Sequence, residues 1–238
     1  MIGAGGTLGT AVCASYADAG AAVVAIDLDD ASAAATGASA ALAADVTDPV
    51  AVEEAAERCG PVNSVVYAAG VTFTADVVAQ DLDEYRRLMA VNLDGAFAVG
   101  RAFGRRMLDA GREGSFCFIS SVAGQRGEPG ASAYCASKFG LIGLTQSFAA
   151  EVATRGIRVN ALCPGNVDSP MLRSIAVDVA EREGEDPATV LRRFADVAAS
   201  RRLIEPSEVA AAVVWLASPA ASAITAGAIV VDGGTTTF

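Results

Sequence analysis

The chain has 238 residues, 53% hydrophobic and 19% charged, long enough to bury one full core. It contains no histidine, which excludes histidine general bases, Ser-His-Asp triads and His-ligated metal sites. The formal charge of −11 argues against a nucleic-acid or anionic-membrane partner, yet leaves room for an anionic cofactor held by backbone N–H groups at a helix end.

Taken in chain order, GAGGTLG (3–9) opens a helix and should follow a strand, but only Met1 and Ile2 precede it. Strands usually need about five or six residues. The reading therefore expects the first strand to be largely missing and the native chain to start upstream of Met1. AAVVAID (21–27), SVVYAA (64–69), SFCFISS (115–121), IRVNALCP (157–164) and AIVVD (228–232) read as strands. Their near-continuous hydrophobicity suits strands covered on both faces, as in a parallel sheet. Helical spacing with terminal glycines marks residues 8–20, 48–60, 82–111, 131–156 and 206–218. This alternation predicts an α/β fold, a doubly wound parallel, Rossmann-like sheet in a single domain over 1–238. Val209 to Val231 is uncharged and long enough to span a bilayer. Ser218, Pro219, Ser222, Thr225 and Gly227 break it into a helix, a loop and a strand, so no membrane span is expected. Cys13, Cys59, Cys117, Cys135 and Cys163 show no CxxC spacing and read as reduced thiols of a cytoplasmic protein, with no metal site.

The glycine-rich turn, with Gly3, Gly5, Gly6, Thr7, Leu8 and Gly9, can present helical N–H groups to a pyrophosphate. Eighteen residues beyond Gly9, Asp27 ends a strand and is followed by Leu28. A carboxylate there accepts hydrogen bonds from an adenosine ribose and repels a 2′-phosphate, which favours NAD over NADP. Asp45, with Val46, follows another short β-like run; it either meets the adenine or belongs to a capping turn before Pro49.

Lys138 is the single lysine, against sixteen arginines, and lies four residues after Tyr134 in a helical segment. The two side chains then share one helix face. An ammonium beside a phenol favours phenolate and lowers its pKa, so the pair can act as a general acid/base in a chain without histidine.

Tyr134-x-x-x-Lys138, Ser121 in ISSVAG, Asn92 in VNLDGAF, PGNVDSPM (164–171) and ITAGAIVVDGG (224–234) together resemble the short-chain dehydrogenases/reductases over nearly the whole chain. The resemblance implies that Tyr134 exchanges a proton with the substrate oxygen and Ser121 hydrogen-bonds that oxygen. It implies that Lys138 holds the nicotinamide ribose and that Asn92 fixes a water linking Lys138 to solvent. Ile2–Gly9 would cradle the phosphates, Ala68, Ala69 and Gly70 would flank the cofactor, and Pro164, Gly165, Val167 and Ser169 would lie near the nicotinamide. A homotetramer built through the long middle helices is also implied. Three departures stand out: Thr7 where the family has glycine, Tyr67-Ala68 where it has Asn-Asn with loss of bracing hydrogen bonds, and the truncated first strand.

Substrate choice should lie with a helical lid at about 168–201, and Gln125, Asn166, Met171 and Phe73 are pocket neighbours by position. Arg173, Arg192 and Arg193 either grip an anionic substrate or form a solvated helix face. The lid is similar to that of family members acting on sugar alcohols and small hydroxyketones such as acetoin. The expected activity is NAD-linked interconversion of a secondary alcohol and a ketone in a small polyol or hydroxyketone. The alternatives are a 3-oxoacyl-thioester reductase and, from another class, a non-catalytic NAD-sensing or scaffold protein.

Overall fold

The computed structural model describes residues 1–235; the last three positions of the predicted domain lie outside the described residues. Strands β1 (Val24–Asp27) and β2 (Ala40–Ala43) pair in parallel, as do β3 (Ser64–Tyr67), β4 (Gly114–Ile119), β5 (Ile157–Pro164) and β6 (Ala228–Val231) in that order. Ile2 joins the two sets by parallel bridges to Ile26 of β1 and Tyr67 of β3. Its amide donates to the Val66 carbonyl at 2.9 Å, and the Ile26 amide donates to the Met1 carbonyl at 2.8 Å. Met1–Ile2 thus lies between β1 and β3, in the middle of the sheet. The spatial order is β2, β1, Met1–Ile2, β3, β4, β5, β6, the doubly wound arrangement that the alternating pattern predicts.

Helices cover both faces. On one, α1 (Thr7–Asp18) and α9 (Pro206–Ala217) bury Val12, Val209, Val213 and Leu216 against Val66, Cys117 and Leu162. On the other, α3 (Pro49–Cys59), α5 (Gly95–Asp109) and α6 (Ser132–Val152) bury Val52, Val99, Met107 and Leu141 against Phe116, Phe118 and Val159. Gly104 lets α5 and α6 approach closely, since a methyl there would stand 2.8 Å from the Phe148 ring. Among the described residues no helix is long and apolar enough to cross a membrane; the uncharged 209–231 stretch divides into the end of α9, a 3-10 turn and β6.

Two features differ from the predicted elements. The expected helix over 82–111 consists of α4 (Leu82–Met89), a π turn at Ala90–Asp94, and α5. The Gly95 amide donates to the carbonyl of Ala90, five residues back, which defines that turn. A five-residue helix α2 (Asp30–Ala34), capped by the Asp29 side chain on the Ser32 amide, follows β1 and has no counterpart in the sequence reading. The lid is a hairpin of α7 (Pro170–Glu183) and α8 (Pro187–Asp196) turning at Gly184, with Ala176, Ala180 and Val190 buried between the two.

Candidate active site

The carboxyl ends of the strands in a doubly wound sheet bring their loops to one edge, where such folds bind ligands. Here that edge gathers the 3–9 turn, Asp27, Asp45, Ala68–Gly70, Ser121 and the 164–169 segment.

The glycine turn is built for close approach. Gly3 has φ +75 and packs on the Ala69 backbone, and a methyl at Gly9 would overlap the Gly3 carbonyl oxygen. Gly5 and Gly6 are exposed, and Gly6 caps α1 without any side chain over its first-turn amides. Such uncapped amides are the donors that suit a phosphate. Thr7, where the family has glycine, is the first residue of α1 and is absent from the positive-φ positions, so it enters the helix without strain. Asp27 reaches this turn: one carboxylate oxygen accepts from the Gly5 amide at 2.7 Å, the other from the Leu28 amide at 2.8 Å. Leu28 itself is exposed. Asp45 accepts from the amide and hydroxyl of Thr47, at 2.8 and 2.7 Å, while Asp48 caps α3. The capping turn before Pro49 is therefore present, and Val46 packs over Gly95.

The catalytic candidates converge. Lys138 is 4% exposed, and its Nζ donates to the Ile119 carbonyl at 2.8 Å and stands 5.5 Å from the centroid of the Tyr134 ring. Desolvation pushes the ammonium down to about 8, with a small opposing pull from Cys163. The Tyr134 ring keeps some exposure, but desolvation still pushes its phenol up to about 12, partly offset by a hydrogen bond with Ser121. This differs from the expected lowering, because burial is the largest cause acting on the phenol. Ser121 leaves the predicted strand and caps the 3-10 turn Val122–Gly124 by accepting from the Ala123 amide at 3.1 Å.

Asn92 sits fully buried in the π turn. Its Oδ1 accepts from the Val71 amide at 2.8 Å, and its Nδ2 donates to the Val71 carbonyl at 3.0 Å and the Ser137 hydroxyl at 3.1 Å. Both amide hydrogens are engaged, so the side chain braces the 70–71 loop and has no N–H left for a water. A methyl on Gly70 would lie 3.5 Å from Asn92 Oδ1 and 3.7 Å from Lys138 Nζ, which places all three together. Of the expected loss of bracing at Tyr67-Ala68, the Tyr67 hydroxyl supplies one hydrogen bond, donated to the Val91 carbonyl, and the Ala68 side chain supplies none. Ser137, one residue before Lys138, joins the site without standing among its sequence candidates. Its spacing of three from Tyr134 is the available signal.

Of the substrate candidates, Gln125 is exposed just after the Ser121 turn and Met171 is 43% exposed on α7. Asn166 is drawn into the scaffold, its Nδ2 donating to the Phe194 carbonyl at 2.9 Å. Val167 bridges Ile204, and Ser169 caps α7 on the Leu172 amide at 3.2 Å. Pro164 ends β5, and Gly165 packs against Asp232. The lid rests on the loop after β3 through Thr74 and Asp178, 3.3 Å apart, and Phe73 in that loop is half-buried. Two of the three lid arginines are paired with carboxylates, and the third meets a hydroxyl. Arg173 pairs with Asp168 at 2.5 Å, Arg193 with Glu183 and Glu185 at 2.5 and 3.4 Å, and Arg192 donates to Thr189 at 3.1 Å. No group of histidine, cysteine or carboxylate side chains among the described residues could hold a metal.

Comparison with known proteins places this arrangement. The profile of the family described as Enoyl-(Acyl carrier protein) reductase matches residues 3–236. Galactitol 2-dehydrogenase (L-tagatose-forming) of Cereibacter sphaeroides is 39% identical, covering 100% of this chain and 94% of its own. The (3R)-3-hydroxyacyl-CoA dehydrogenase of Canis lupus familiaris is 35% identical over 98% of this chain and 94% of its own. The crystal structure of sorbitol-6-phosphate 2-dehydrogenase SrlD from Erwinia amylovora superposes with TM-score 0.93 at 34% identity, covering 100% of this chain and 98% of that one. With its Rossmann-like sheet and its converging Asn92, Ser121, Tyr134 and Lys138, the chain belongs to the short-chain dehydrogenase/reductase family, nicotinamide-dependent oxidoreductases acting on CH–OH groups.

Proposed function

We propose that the chain is an NAD-linked dehydrogenase that interconverts a secondary alcohol and a ketone in a small, neutral polyol. The observation that carries the reading is the lid: above the Tyr134–Ser121 site, Arg173 and Arg193 are paired with lid carboxylates rather than presented to an anion. The likeness to galactitol and D-threitol dehydrogenases supports a neutral polyol, whereas the likeness to sorbitol-6-phosphate 2-dehydrogenase supports a polyol without deciding its charge. Asp27 supports NAD, because its carboxylate, fixed by the Gly5 and Leu28 amides, faces the place where a 2′-phosphate would carry like charge.

The residues present fit a dinucleotide. The uncapped α1 amides suit its phosphates, Asp27 a ribose, and Lys138 a second ribose beside Gly70. Hydride exchange with the alcohol carbon is the chemistry a nicotinamide supplies when bound. In oxidation, the alcohol's O–H proton passes to the Tyr134 phenolate oxygen as the carbon gives up its hydride; reduction reverses both. Ser121 donates a hydrogen bond to the reacting oxygen, where charge develops. Lys138 keeps positive charge behind the phenol and favours its ionised form.

A homotetramer through α4, α5 and α6 belongs to this reading. Its support is the exposure of Tyr85, Phe97 and Phe139 on those helices, and light scattering of the purified protein tests it.

The substrate reading is tested by initial rates with NAD or NADP over galactitol and threitol, a polyol phosphate and a 3-hydroxyacyl thioester. Preference for the neutral polyols with NAD is expected. Preference for the thioester, or for NADP, would overturn the substrate or the cofactor assignment respectively.

A further inference from the structure

The four family positions do not hold themselves. Asn92 makes every polar contact of its side chain with the protein, and two residues outside the family's catalytic set decide where it stands. On one side is Tyr67. Its ring is buried against Phe118, with centroids 6.4 Å apart, and its hydroxyl donates to the carbonyl of Val91, the residue before Asn92. Burial pushes this phenol up well beyond its ordinary value, so it stays a donor across the working pH range. The hydroxyl occupies space that Gly95 vacates: a methyl at Gly95 would come within 2.6 Å of it. On the other side is Ser137, fully buried. Its hydroxyl donates to the Tyr134 carbonyl at 2.7 Å and accepts from Asn92 Nδ2 at 3.1 Å.

We propose that Tyr67 and Ser137 are positioning residues that clamp Asn92 between β3 and α6, fixing the π turn against the helix that carries Tyr134 and Lys138. A π turn is rare in a helix and needs outside support for its altered hydrogen bonding. Tyr67 supplies that support at the Val91 carbonyl. Ser137 then links the turn to the backbone of Tyr134. Asn92, held from both sides, fixes Val71 and with it Gly70, which borders Lys138 Nζ. The sequence departure at Tyr67, where the family has asparagine, thus substitutes one brace for another. The proposal rests on the family chemistry at this site and not on which alcohol is turned over.

Tyr67→Phe removes one oxygen and keeps the ring; Ser137→Ala removes the other hydroxyl. Each is expected to lower kcat about tenfold, with KM for the polyol and the dissociation constant for NADH little changed, because the loss is of alignment and not of binding. The double variant should lose less than the product of the two, since both act on one residue. Hydrogen exchange at the Val71 amide provides a readout that needs no substrate: it should quicken in both variants more than exchange at the core amides of β4 and β5, which follow global stability. Unchanged turnover and unchanged Val71 exchange in Tyr67→Phe would overturn the clamp. If Ser137→Ala does not fold, Tyr67→Phe decides. If the parent chain turns over no alcohol tried, the substrate reading fails, while Val71 exchange still decides the clamp.

Discussion

Lys138 Nζ lies 5.5 Å from the centroid of the Tyr134 ring, and the two groups are displaced in opposite directions on the pH scale, the ammonium down to about 8 and the phenol up to about 12. Both shifts come first from burial, which disfavours the charged form of each. At neutral pH the pair stands as ammonium and neutral phenol, ready to protonate a ketone. As a base for alcohol oxidation, the phenol has to lose its proton first. Alcohol oxidation should therefore accelerate as pH rises from 7 toward about 8, where Lys138 gives up the charge that favours phenolate, while ketone reduction is faster at the neutral end. Opposed pH–rate profiles for the two directions, measured with one substrate pair, check this; parallel profiles would contradict it.

The buried ammonium also bears on stability. The unfolded lysine keeps its proton to about 10.5, whereas the folded one releases it near 8, so between these values the unfolded state binds more protons and stability rises with pH. Below about 8 the charge is fully buried and its cost fully present. Replacing Lys138 by methionine should abolish activity yet stabilise the fold at pH 7 by about 1–3 kcal/mol. That gain should shrink by pH 10. Paired denaturant titrations at the two pH values measure it, and a variant less stable than the parent at pH 7 would contradict the burial argument.

Asp27 touches the glycine turn directly. Asp27→Ala removes the acceptor of both the Gly5 and the Leu28 amides along with the negative charge. The ratio of kcat/KM for NAD over NADP is expected to fall at least about tenfold, the equivalent of about 1.4 kcal/mol. An unchanged ratio would remove Asp27 from cofactor choice.

Gly95→Ala should destabilise the protein by about 1–3 kcal/mol, because its methyl would press on the Tyr67 hydroxyl at 2.6 Å and on Val46 at 3.0 Å. Combining it with Tyr67→Phe removes the nearer contact, so the double variant should be more stable than the sum of the single effects predicts. Thermal melts of the four proteins give the coupling directly, and strict additivity would show that the hydroxyl and Gly95 are not matched.

Much of this molecule is legible from its residues. IRVNALCP (157–164) is β5 to the residue, and Tyr134 and Lys138 share a face of α6 as their spacing requires. What local pattern leaves out depends on partners far along the chain. The π turn interrupts an otherwise regular helical period because Asn92 answers to Val71 and Ser137, 21 and 45 residues away. Ile2 counts as a strand only through its neighbours Ile26 and Tyr67, which no two-residue pattern reveals. Helix α2 is too short to show a period and is set by the Asp29 cap. The direction of the Tyr134 shift likewise follows from burial, which spacing alone does not contain. The lid arginines show the same limit, since Arg193 meets Glu183 and Glu185 only once α7 and α8 fold against each other.

The central claim, alcohol oxidation through Tyr134 with NAD, is tested most directly by NADH formation from galactitol and threitol with the parent chain and Tyr134→Phe side by side. Turnover by the parent that falls at least about 100-fold in the variant, with NADH binding retained, is the predicted result. Equal turnover by the two proteins would contradict the account.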